Sequence, residues 1–220
     1  MSHEQNWGCT MERVEDLSFC AKCGGLCCLR TPGKYNPEEF SSGGTMSKKL
    51  INDALDDGRA SMSTTFVSFA KSQIAPLFFL AARGKDRPPL SLCHDAVRCS
   101  HLVGDRCKFS LEERPFECAM LVPSEDTSKC SLPNDLFMEL LWIDHQDTLR
   151  DVIEGRTGHT WRDEMVEQLM SRKDVDDYST GAYELVISMG LVEDAEEADE
   201  TIADWHEGVK RMRAKKAQGQ

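Results

Sequence analysis

Cysteine placement constrains this chain more than any other feature. All ten cysteines fall at or before position 130 of 220 residues, and none lies between 29 and 92. The first group is Cys9, Cys20, Cys23, Cys27 and Cys28; the second is Cys93, Cys99, Cys107, Cys118 and Cys130. The N-terminal stretch MSHEQNWGCTMERVEDLSF has neither the basic start nor the apolar run of a secretory leader. The longest apolar run, Ile74 to Ala82, contains Pro76 and falls short of the ~18–20 residues that span a bilayer. A cytoplasmic protein with no membrane association is therefore expected, in a compartment where thiols stay reduced. Clustered cysteines there point to metal or redox chemistry rather than to a disulfide framework.

The densest stretch is Cys20-Ala21-Lys22-Cys23-Gly24-Gly25-Leu26-Cys27-Cys28. A C-x-x-C turn brings two thiolates close enough to share one metal ion. Gly24 and Gly25 permit positive φ and let backbone wrap an ion or cluster. The N–H groups of such a turn can point at thiolate sulfur. Adjacent side chains such as Cys27 and Cys28 diverge, so they suit two sites, or two irons of one cluster, better than one ion. With few apolar neighbours, these four thiols make poor core filler. Cys9 and Cys93 fit equally well as small buried hydrophobes.

The second group has no C-x-x-C, so the fold must assemble its ligands from separate loops. Turn signals mark those loops: Gly104-Asp105 before Cys107, Pro115 before Cys118, and Pro123 and Pro133 around Cys130.

Together the two groups resemble the CxxCxxxCC cysteine-cluster family, the YkgJ-like proteins, described as a zinc- or iron-chelating domain. The first motif is Cys20, Cys23, Gly24, Cys27 and Cys28. The second runs Val97-Arg98-Cys99-Ser100-His101-Leu102, Asp105-Arg106-Cys107 and Glu113-Arg114-Pro115-Phe116-Glu117-Cys118, then Pro123 and Cys130. Loop lengths between Cys107 and Arg114, and between Cys118 and Pro123, depart from the family pattern. Asn36-Pro37-Glu38-Glu39-Phe40 fits a helix start found after the first motif. The resemblance spans residues 20–130. It implies metal chelation by Cys20, Cys23, Cys27, Cys28, Cys99, Cys107 and Cys118, with Cys130 matching only some members.

An all-thiolate set selects soft metals. Eight thiolates fill two closed zinc sites or two four-cysteine iron–sulfur clusters equally well. Spacing does not separate zinc from iron, mononuclear or clustered. His94 and His101 sit beside cysteines and could replace a thiolate, although the default for each is an ordinary surface or hydrogen-bonding role. Arg114 could donate to an anionic thiolate centre without binding the metal, or pair with Glu112 or Glu113 in the turn. Its place just ahead of the Cys118 turn favours the former.

The remaining sequence supplies a scaffold. Residues 47–57 predict a helix capped by Ser47 and stopped by Gly58; 64–70 and 76–83 predict strands or buried segments. Apolar spacing predicts a helix from Asn134 or Asp135 to Ile153, ended by Gly155. Thr160 and Asp163 predict a capped helix carrying Trp161, Met165 and Leu169. Further helices are expected at Tyr183–Met189 and from Asp194, the last ending in a basic, solvated tail. His145 with Asp144 and Asp147 reads as the polar face of a helix. The formal net charge of -12 disfavours nucleic-acid binding, because phosphates would be repelled.

The expected fold is α+β: an irregular cysteine-rich part over 1–133 with a few short strands, and a helical part over 134–220 packing on it. The expected function is chelation of zinc or iron, with metal ions as the partners. Two other readings stay open: a metal- or Fe–S-dependent enzyme of redox transfer or protein modification, as in the lysine methylases that share a similar cluster, and a zinc-structured protein-interaction module.

Overall fold

The computed structural model describes Gly24, Gly25, Cys28, Leu29 and residues 32–70, 73–92, 98–124, 129–131 and 138–171. The helices expected at 183–189 and beyond Asp194 lie outside these residues, as does the basic tail. So do Cys9, Cys20, Cys23, Cys27, Cys93 and His94.

Asn36 caps a short helical turn. Its side chain accepts from Glu38 N while the Glu39 carboxylate accepts from Asn36 N, a capping box that starts the 3-10 turn Pro37–Phe40. Two short strands follow, β1 (Ser41–Ser42) and β2 (Thr45–Met46). Helix α1 (Lys48–Asp56) then starts where the sequence places it, with the Ser47 hydroxyl accepting from Leu50 N. Its apolar residues Ile51, Ala54 and Leu55 all face inward and are buried. Gly58 takes φ +76 just beyond the helix, a conformation that Gly adopts without steric cost.

β3 (Ala60–Ala70) and β4 (Gln73–Ala82) form a long antiparallel hairpin, with Ala60 opposite Ala82 and Thr64 opposite Phe78. Both strands exceed the short ones anticipated, because backbone pairing continues past the apolar stretches, from Ala60 opposite Ala82 to Ala70 opposite Gln73. The strand order is β4-β3-β5, with β5 (Leu90–Ser91) parallel to β3. The free edge of β4 is met by residues 33–35: Tyr35 N donates to Leu80 O at 2.9 Å, and Ala82 N to Gly33 O at 2.8 Å.

Glutamines close both edges of the sheet. Phe78 N donates to Gln146 Oε1 and Phe78 O accepts from Gln146 Nε2, each at 2.9 Å. Gln168 does the same for β5, accepting from Leu92 N at 2.9 Å and donating to Leu90 O at 3.1 Å. Pro76 lies two residues before Phe78 and shares its orientation. Its missing N–H therefore falls on the outer edge, where no β3 bond is lost.

The long helix expected to end at Gly155 is two elements. Met138–His145 is a 3-10 helix, and α3 (Gln146–Thr157) follows it. The split has a tertiary cause: Trp142 is fully buried and its Nε1–H donates to Tyr35 O at 3.1 Å, fixing the tighter turn against residues 33–35. The stop also moves. Gly155 lies inside α3, and the left-handed cap is Gly158 at φ +80. In α4 (Trp161–Ser171) the predicted cap is present, with Asp163 N donating to the Thr160 hydroxyl at 3.2 Å. Met165 on this helix is buried.

One apolar cluster joins these layers. It contains Phe40, Ile51, Leu55, Met62, Phe78, Leu80, Trp142, Leu149, Ile153 and Met165, so α1, the sheet, α3 and α4 share a core. Helices and strands in this proportion and order make an α+β fold. No helix among the described residues is long and apolar enough to cross a membrane.

Candidate metal centre

A separate small cluster lies at the end of the hairpin: Cys28, Ala82, Cys99 and Leu102. It is where the two cysteine motifs meet. Gly24 and Gly25 take φ +63 and +73, and Gly25 O then accepts from Cys28 N at 2.9 Å and Leu29 N at 3.1 Å. Cys28 O in turn accepts from Cys99 N at 2.8 Å. A Cβ on Gly25 would lie 2.7 Å from Leu102 Cδ1 and 3.2 Å from Asp105 O, so only glycine allows this turn to approach so closely. Cys28 and Cys99 are both buried.

The second motif is a tight hairpin. β6 (Leu102–Val103) and β7 (Arg106–Cys107) pair, with Leu102 opposite Cys107. Gly104 takes φ +63 at the first central position of the two-residue turn, which a type II′ hairpin reserves for glycine. The strand is anchored to the sheet end through Gly84, which bridges Cys99, and through Ser100 N donating to Arg83 O at 2.8 Å.

Donors converge on the sulfurs. Cys99 Sγ accepts from His101 N at 3.5 Å. Burial pushes the Cys107 thiol up, while the Phe109 N–H and the Arg114 guanidinium, both hydrogen-bonded to it, pull the other way; Cys99 adds to the rise. Arg114 is itself held by Nε donating to Phe109 O at 3.3 Å. The Arg114 guanidinium thus reaches the Cys107 sulfur.

Cys118 arrives on the short helix α2 (Phe116–Ala119). Its Sγ occupies the space over Gly33, where a Cβ would lie only 2.0 Å away. The helix is tied down by Glu117, whose N donates to Lys34 O at 3.0 Å and whose carboxylate accepts from Lys34 N at 2.7 Å. Lys34 Nζ also pairs with Glu139 at 2.7 Å. Burial lowers the Lys34 pKa, but these two carboxylates outweigh it and leave the ammonium raised. Burial drives the Tyr35 phenol well above its ordinary range; Arg59 opposes this, and Glu39, Cys118 and Cys99 reinforce it. Both thiols therefore lie within electrostatic reach of one phenol.

The remaining candidates stand as follows. Cys130 lies in β9 (Lys129–Ser131), opposite Pro123 of β8 (Val122–Ser124). Cys20, Cys23 and Cys27 lie outside the described residues. His101 is not a surface residue: it is only 2% exposed, and its ring packs on Phe109. Cys28, Cys99, Cys107 and Cys118 are in no disulfide.

Among the described residues, one group of three potential ligands has all its ligand atoms within 4.8 Å of one another: His159, Glu164 and Glu167 on the surface near α4. Sequence reading did not single it out. His159 Nε2 already pairs there with one Glu164 oxygen at 3.4 Å, and the other accepts from the buried Gln168 Nε2 at 2.6 Å. The four described thiols do not by themselves close a site to that tightness, so a closed site over them needs donors from residues 20–27.

Comparison with protein-family models, with curated proteins and with solved structures gave no match.

Proposed function

We propose that this protein binds zinc or iron through clustered cysteine thiolates. The observation that carries this reading is the docking of the two cysteine motifs: the Gly24-Gly25 turn seats on the Cys99–Cys107 hairpin, with Cys28 O and Cys99 N joined at 2.8 Å. Hydrophobic packing alone does not require two buried cysteines at that junction. Nor does it require N–H and guanidinium donors aimed at sulfur, which suit thiolates more than thiols.

The donor set fits a soft cation. Cys20, Cys23, Cys27, Cys28, Cys99, Cys107 and Cys118, with Cys130, would hold it. Arg114 would offset the charge at Cys107 from outside the ligand set. Bound metal would neutralise the negative charge that clustered thiolates carry. The reading places a metal-held cysteine-rich part over 1–133 beside a helical part over 134–220. It also assigns the protein to a reducing compartment, the cytoplasm, and to the YkgJ-like cysteine-cluster family.

Thiol reactivity tests the reading. Metal-bound thiolates should resist a chromogenic disulfide reagent in the native, reduced protein and become reactive after chelation. Equal reactivity before and after chelation contradicts it.

A further inference from the structure

The buried imidazole of His101 has an accounting problem that thiolate chelation does not yet solve. Its Nε2 lies 2.9 Å from Arg59 O. A carbonyl oxygen only accepts, so Nε2 carries the proton and Nδ1 presents a bare lone pair. That Nδ1 is buried and has no hydrogen-bond partner, on a residue only 2% exposed. Buried polar atoms are nearly always satisfied, so one left open asks for a missing partner.

We propose that His101, through Nδ1, is a nitrogen ligand of the metal held by Cys99 and Cys107; the proposal rests on the chelation reading above. Three observations give it direction. First, an imidazole that binds a metal through one nitrogen commonly donates its other N–H to a backbone carbonyl, which fixes tautomer and ring orientation. Arg59 O already fills that role. Second, the ring is held on both sides of its hairpin: Lys108 N donates to His101 O at 2.9 Å, and the Phe109 ring lies 4.5 Å away. Third, the groups that hold it also touch the sulfurs. The His101 N–H is donated to Cys99 Sγ, and the Phe109 N–H to Cys107. The imidazole and the two sulfurs thus share one small hairpin, and because their ligand atoms do not all lie within 4.8 Å of one another, metal binding must draw them together. A mixed sulfur and nitrogen set suits zinc and also iron–sulfur centres.

The test uses full-length, reduced, chelator-stripped protein loaded anaerobically with Zn(II) for X-ray absorption and with Co(II) as an optical probe. The wild type should show a nitrogen scatterer at about 2.0–2.1 Å beside sulfur at about 2.3 Å. His101→Cys should remove the nitrogen and move the Co(II) bands to an all-sulfur position. His101→Gln should weaken Co(II) binding by about tenfold or more. An all-sulfur wild-type shell, or a nitrogen that persists in His101→Cys, overturns the proposal. Because these variants can misfold, imidazole 15N NMR of the wild type gives a second readout. Nδ1 should shift on Zn(II) addition while Nε2 keeps its proton. An unmoved Nδ1 means that water alone satisfies it and overturns the ligand role. A wild type that takes up neither ion overturns the chelation reading itself, a different outcome from an all-sulfur site.

Discussion

Gly33 shows how little room the centre leaves. A methyl group there would meet Cys118 Sγ at 2.0 Å and backbone N of the same residue at 3.3 Å. Gly33→Ala must therefore push the thiol aside or open the pairing of Gly33 with Ala82. Overpacking of this kind costs about 1–3 kcal/mol, and here the displaced atom is a proposed ligand. The expected result is a lower melting temperature together with lost metal; a variant with unchanged melting and unchanged metal content would contradict the placement of Cys118. At this scale the sequence was informative where chemistry is local. The Gly24-Gly25 turn, and an arginine reaching a cysteine sulfur, could be read from spacing. Gly33 could not, because its importance comes from Cys118, distant in sequence; His101 was visible only as a neighbour of Cys99, and its burial and its bond to the Arg59 carbonyl were not.

At the level of elements, the sheet depends on two glutamine side chains that imitate a neighbouring strand. Gln146 pairs both backbone groups of Phe78, and Gln168 pairs Leu92 N and Leu90 O. Gln146→Leu leaves an N–H and a carbonyl of the edge strand without partners, at a cost of about 1–3 kcal/mol. Urea denaturation should show a lower midpoint with an unchanged slope; an unchanged midpoint would contradict the bonding described. The α1–α3 contact has its own signature. Arg156 donates to Asp56 at 2.7 Å and to Asn52 at 2.8 Å, and the hydrogen bond and charge of Arg156 hold the Asp56 carboxyl below its ordinary 3.8. A carboxyl whose folded pKa is lowered stabilises the fold above its unfolded pKa and loses that contribution as pH falls through the folded value. Arg156→Ala should raise the Asp56 titration to the ordinary carboxylate range by NMR; an unmoved titration would contradict this assignment. Helix starts were legible, since Ser47, Asn36 and Thr160 cap through their own side chains. The helix around Trp142 was not, because a tertiary bond to Tyr35 O sets its tighter winding. The paired strands were foreshortened because only their apolar stretches stood out.

For the whole molecule, one core joins α1, the hairpin, α3 and α4, while the cysteine cluster sits at the sheet end with a packing of its own. The division is physical. The larger core is built from Phe, Leu, Ile, Met and Trp and can hold by burial. The smaller has two buried cysteines with Ala82 and Leu102, too little apolar surface to fix three chain segments unaided. On the proposed account metal supplies that cohesion, and structural zinc sites are worth on the order of 10 kcal/mol to folding. The formal charge of -12 omits ionised thiolates, so bound cations would offset acidity that the count does not show. The most direct measurement is zinc plus iron per chain, by elemental analysis of full-length protein purified anaerobically and desalted. The account predicts at least one tightly held ion per folded chain. A folded chain carrying neither metal would contradict it.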